Sequence, residues 1–165
     1  AEAGPGQDPQ ARAEVIRVAK EICAVESPLR YPRLVRKVCW AFDLSPVFAS
    51  RERKVRRILG SAFAYVDEED FVWASMDSGR TAPPWRRNAL DHVERIEDIH
   101  PRELVALMAQ VRSASPAWIS KDDLFLEVLK RLSTKKRRIT PSRREHLENI
   151  LILLQNDEAE MSSIV

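Results

Sequence analysis

Glycine is scarce in this chain of 165 residues, which has only Gly4, Gly6, Gly60 and Gly79. Four such scattered positions cannot supply a Gly-x-x-x-x-Gly-Lys-Ser/Thr or a Gly-x-Gly-x-x-Gly loop, so no backbone cradle for nucleotide phosphates is available. Cysteine is nearly as rare. Cys23 and Cys39 fall in segments with helical periodicity and read as buried apolar thiols rather than a disulfide. With His92, His100 and His146 they form no ligand spacing, which speaks against a structural metal. Long apolar runs are missing too: none approaches the ~18 residues needed to span a bilayer. Nor is one sign of charge in excess, since 27 basic and 25 acidic residues leave a net +2. An electrostatic partner must therefore be argued from local clustering.

What is present is a globular composition, 44% hydrophobic and 32% charged. The N-terminal "AEAGPGQDPQ" is polar and has neither a signal-peptide pattern nor an initiating Met. The reading is a cytoplasmic piece of a longer protein. Carboxylates are plentiful, but none is paired with a nucleophile or base. No cofactor and no catalytic role are expected.

Val15, Val18, Ala19 and Ile22 form the i, i+3, i+4, i+7 seam of a first helix. Leu34, Val35, Val38 and Phe42 mark a second. After Pro46, with Ser50 as N-cap, a third helix buries Val55, Ile58, Leu59 and Ala62. "FAYV" and "FVWA" then flank "DEED", which predicts two short strands joined by an acidic turn. Helix, helix, helix, hairpin is the order of a winged helix. Three comparable seams recur about 90 residues further on: Leu104, Leu107, Met108 and Val111; Leu124, Phe125, Val128 and Leu132; Leu147, Ile150, Leu151 and Leu154. The expected fold is mainly α, two tandem winged-helix-like three-helix units, the first with a short β-hairpin wing. A flexible segment (1–11) precedes the first unit (12–75), and a linker (76–100) leads to the second (101–165). Pro101 suits the first turn of a helix, and Ser120 reads as an N-cap with Asp122 and Asp123 favouring the helix dipole.

The third helix has a distinctive outer side. Arg53 and Arg57 project opposite the seam centred on Val55, with Lys54 and Arg56 on the flanks. Arg36 and Lys37 on the second helix add to a stretch that carries nine basic residues from Arg30 to Arg57 against Asp43 and Glu52. Such a face suits phosphates and base edges, with DNA favoured over RNA. The acidic run Asp67, Glu68, Glu69 and Asp70 would repel phosphate, so contact is expected through the helix and not the wing tip. In the second unit the basic tetrad Lys135, Lys136, Arg137 and Arg138 lies in a loop, and the third helix turns Ile152 and Leu153 outward as a docking surface. Trp40, Trp73 and Trp118 are expected in the core, whereas Trp85 in "PPWRR" reads as an exposed stacking or docking element.

"ESPLRYPRLVRKVCWAFDLS", "RERKVRRIL" and "DEEDFVWA" together resemble an uncharacterised winged-helix-like module near the C-terminus of bacterial superfamily I DNA/RNA helicase-like proteins. Glu26, Pro28, Leu34, Phe42, Arg53, Phe71 and Trp73 take the positions of that module's pattern. Ser27 stands where the module usually has Gly, and Asp43 where a Gly often follows the aromatic. "ERIEDIHPRELVALMAQV" and "ISKDDLFLEVLKRL" resemble its continuation, so the likeness covers most of residues 13–155. It implies a non-catalytic appendage that binds nucleic acid for a larger helicase-related polypeptide, as a monomer or weak homodimer. The alternative reading is a protein-interaction or scaffold domain within that parent, or a homodimerisation module.

Overall fold

The computed structural model describes residues 8–60, 62–63, 65–75, 95–132 and 138–164. The chain is mainly helical, 69% helix, with six α-helices and one small three-stranded sheet among the described residues. It divides into two compact units, Ala1–Thr81 and Ala82–Val165.

In the first unit α1 spans Pro9–Glu26. Asp8 caps it, its carboxylate accepting the N–H of Gln10 at 2.9 Å, and Pro9 occupies the first turn, where its missing N–H costs nothing. The helix thus starts inside the segment expected to be flexible. Two residues of strand, β1 (Leu29–Arg30), lead into α2 (Tyr31–Ala41), and a corner then leads to α3 (Ala49–Leu59). Phe48 rather than Ser50 holds the N-cap position of α3. Gly60 ends the helix at φ +40°, a conformation that L side chains rarely adopt, and Ala62 therefore lies beyond it. β2 (Tyr65–Val66) and β3 (Phe71–Trp73) form the expected hairpin, shorter than the sequence suggested. The sheet order is β1-β3-β2, antiparallel throughout, with Leu29 opposite Val72 and Tyr65 opposite Trp73.

The expected seams face the core at most positions, with Val15, Ile22 and Phe42 packed half-buried against it, whereas Val18 is half-buried and not part of it. Ala19 and Cys23 of α1, Leu34, Val35, Val38 and Cys39 of α2, and Val55 and Leu59 of α3 are buried together with Leu29 and Val72 of the sheet. Both thiols are free and buried. Burial pushes Cys23 up to about 11, and Cys39 is raised by the same cause.

The second unit opens on a short 3-10 turn, Ile96–Asp98, followed by α4 (Pro101–Ser113), α5 (Lys121–Arg131) and α6 (Pro141–Ile164). Its core takes in Ile96 and Ile99, ahead of Pro101, and centres on fully buried Leu104, Leu107, Met108, Phe125, Val128 and Leu147. His100 caps α4 by accepting the N–H of Arg102 on Nδ1 at 3.1 Å. Ser120 caps α5 as expected, accepting the N–H of Asp123 at 3.1 Å. Among the described residues this unit contains no strand.

Candidate nucleic-acid interface

α3 is a strongly charged helix that stays folded because one stripe of it is anchored. Val55 and Leu59, one turn apart, are buried against α1 and α2, while Ile58 lies half-buried beside them. The helix rotation then fixes the other side: Arg53, Lys54 and Arg57 are exposed. These three have no hydrogen-bond or ion-pair partner among the described residues.

Arg56, next in sequence to Arg57, has a different environment. Its guanidinium lies over the ring of Tyr31, 4.0 Å from the centroid, and donates to Asp70 Oδ1 at 2.5 Å. Tyr31 meets Phe63 edge-on, and its phenol is pushed up mainly by burial, with Arg56 pulling the other way. Arg56 therefore ties α3 to the start of α2 and to the hairpin, and is not part of the free cationic face. Lys37 is also withdrawn: its ammonium donates to Glu26 at 2.5 Å, and Arg33 lies 3.7 Å from the same carboxylate. Arg51 donates to the carbonyls of Leu44 (3.2 Å) and Pro46 (2.9 Å), which fixes the corner between α2 and α3. Arg36 is half-buried and makes contacts of its own. The expected broad patch narrows to three side chains on one face.

The acidic turn is likewise less repulsive than its composition suggests. Asp67 Oδ1 accepts the N–H groups of Glu69 (3.0 Å) and Phe71 (2.9 Å), and Oδ2 accepts the Trp73 indole N–H at 2.8 Å. Asp70 is paired with Arg56, and its backbone carbonyl accepts the N–H of Tyr31 at 2.8 Å. Two carboxylates, Glu68 and Glu69, remain exposed at the tip.

In the second unit the described cations are largely matched. Arg102 pairs with Asp157, Arg112 with Glu158, Lys121 with Glu148, Lys130 with Glu127 and Arg144 with Asp122. The Arg144 guanidinium, chiefly by hydrogen bonding, holds the Asp122 carboxyl below the usual range. Arg138 is exposed, and its carbonyl accepts from Arg143 at 2.8 Å. Lys135, Lys136, Arg137 and Trp85 lie outside the described residues. Ile152 is exposed as expected, at 52%. Leu153 is not: it is half-buried against the unit's core.

Two tryptophans depart from expectation. Trp73 is buried, but Trp40 is 57% exposed and Trp118 84% exposed. The spacing could have placed Trp40. It sits two residues after Val38, on the side of α2 opposite the seam. Phe48 and Leu44 on the adjoining corner are exposed as well. Among the described residues no group of His, Cys, Asp or Glu could hold a metal ion, and no helix is long and apolar enough to cross a membrane. Comparison with protein-family models, curated proteins and solved structures returned no match to this chain.

Proposed function

We propose that the chain is a non-catalytic nucleic-acid-binding module, an accessory to a larger helicase-related polypeptide in the cytoplasm, which contacts DNA through α3 of its first unit. The observation that carries this reading is the set Arg53, Lys54 and Arg57, exposed and without partners among the described residues, on a helix anchored by Val55 and Leu59. A surface that pairs Lys37, Arg51 and Arg56 internally and leaves these three to solvent keeps its cations for an outside anion. The order α1-β1-α2-α3-β2-β3 with β3 central in the sheet supports a winged-helix arrangement for this unit. The second unit, with three helices at comparable seams and its cations mostly matched, fits a diverged copy with a structural or docking role.

Charge reversal tests the reading. Arg53→Glu with Arg57→Glu alters two exposed positions and should leave the fold intact while abolishing binding to short DNA at low salt. Unchanged binding would overturn it. The competing reading, a protein-interaction or scaffold domain within the parent or a homodimerisation module, is favoured by exposed Ile152. It predicts concentration-dependent mass in light scattering that Ile152→Glu removes.

A further inference from the structure

The corner between α2 and α3 exposes three large apolar side chains in succession: Trp40 (57%), Leu44 (42%) and Phe48 (60%). Neither aromatic is left out for want of a core. Val38 and Cys39, the neighbours of Trp40, are buried, and the helix rotation turns Trp40 away from them, one turn beyond Arg36. Val47 packs against the core, and the extended backbone of Phe48 (φ −90°, ψ 158°) sends the next side chain the opposite way. The corner itself is held in shape. The N–H of Leu44 donates to Cys39 O at 2.8 Å, and Arg51 clamps the Leu44 and Pro46 carbonyls from α3. Exposed aromatics on a fixed corner are a surface prepared for a flat ligand.

The adjoining helix indicates the ligand's chemistry. α3 begins at this corner and carries Arg53, Lys54 and Arg57 along its exposed side. Exposed aromatics on a corner that continues into a helix with exposed, unpaired cations supply the two parts of a single-strand binding surface, in which bases stack on rings while phosphates meet arginine and lysine. Duplex DNA keeps its bases stacked inward and offers nothing for Trp40 to stack on. The hairpin disfavours a second duplex contact, because the charges exposed at its tip are Glu68 and Glu69.

We infer that the first unit binds single-stranded nucleic acid, with Trp40 and Phe48 stacking on bases at the α2–α3 corner and Arg53, Lys54 and Arg57 holding the phosphates along α3. This rests on the nucleic-acid reading of α3 and adds to it the strandedness and the residues that read it.

The probes are a labelled oligo-dT and a duplex of the same length, titrated against the intact chain and its Trp40→Ala, Trp40→Phe, Phe48→Ala and Trp118→Ala variants. Single strand should bind more tightly than duplex. Trp40→Ala should lower single-strand affinity by roughly 5- to 100-fold, the scale of one lost stacking contact. Trp40→Phe should restore most of it, Phe48→Ala should weaken it, and Trp118→Ala should leave it unchanged. Duplex affinity should not change with any of these substitutions. Equal or tighter duplex binding, untouched by Trp40→Ala but lost with Arg53→Glu and Arg57→Glu, overturns the stacking inference and leaves the cationic face standing. No binding to either probe removes both. Self-association without nucleic acid that Trp40→Ala abolishes assigns the corner to a protein partner, and also overturns the inference.

Discussion

If the first unit binds nucleic acid as proposed, the dependence of that binding on salt reports how many of its cations meet phosphate. Nine basic residues lie between Arg30 and Arg57, and all nine would contribute if the stretch acted as one patch. Lys37 and Arg33 are held by Glu26, Arg51 by two carbonyls and Arg56 by Asp70 and Tyr31, while Arg30 and Arg36 make contacts of their own. Three remain: Arg53, Lys54 and Arg57. Each phosphate neutralised contributes about −0.7 to the slope of log affinity against log salt on a single strand and about −0.9 on duplex. Three contacts therefore give a slope of about −2 or −3, and nine would give about −6 or −8. Between 50 and 200 mM salt the three-cation face loses roughly 20- to 40-fold in affinity. Arg53→Ala with Arg57→Ala leaves about one contact and a slope near −1. Fluorescence anisotropy of a labelled oligonucleotide across a salt series measures both slopes. A wild-type slope steeper than about −5 would show that the internal pairs open on binding. A slope that the double substitution leaves unchanged would refute the assignment of contacts to α3.

Phe125→Ala should cost roughly 3–5 kcal/mol, because the ring is fully buried at the centre of the second unit. Hydrogen exchange should show protection lost in α4–α6 while nucleic-acid affinity holds; affinity lost in step would place the interface elsewhere. Gly60→Ala should destabilise the first unit by about 1–2 kcal/mol through its φ of +40°, measurable as a lower urea midpoint. Cys23 keeps its proton up to about pH 11 when folded, against 9.0 ordinarily. Stability from this thiol is therefore full below pH 9 and lost as pH rises through that window, by at most roughly 2–3 kcal/mol. The stability advantage of the native chain over Cys23→Ala, read from thermal midpoints, should shrink accordingly as pH rises, and parallel curves would count against burial as the cause.

The helices were legible because their information is local. The Leu34, Val35 and Val38 spacing, the Ser120 cap and Pro101 each act within one or two turns, so the residues that decide them are neighbours in sequence. β1 was not legible. Two residues form a strand only because β3, far along the chain, pairs with them. The same distance effect separates Arg56 from Arg57. Both read as surface cations, and only the fold places Tyr31 and Asp70 beside the first. Trp40 is another case. Its place on the helix, opposite the seam, marks it as exposed, and an aromatic ring's tendency toward burial does not override that rotation.

Asp70 answers two structural demands at once. Its φ of +66° is a conformation in which glycine is the least strained residue, yet a glycine there would remove the carboxylate that receives Arg56. Asparagine would tolerate the backbone and lose the charge. The position is thus caught between turn geometry and an ion pair, and aspartate is the residue that serves both. Variation at residue 70 should consequently travel with residue 56: a chain that gains glycine in the turn is free to lose its arginine, and one that keeps the arginine keeps the strained acid.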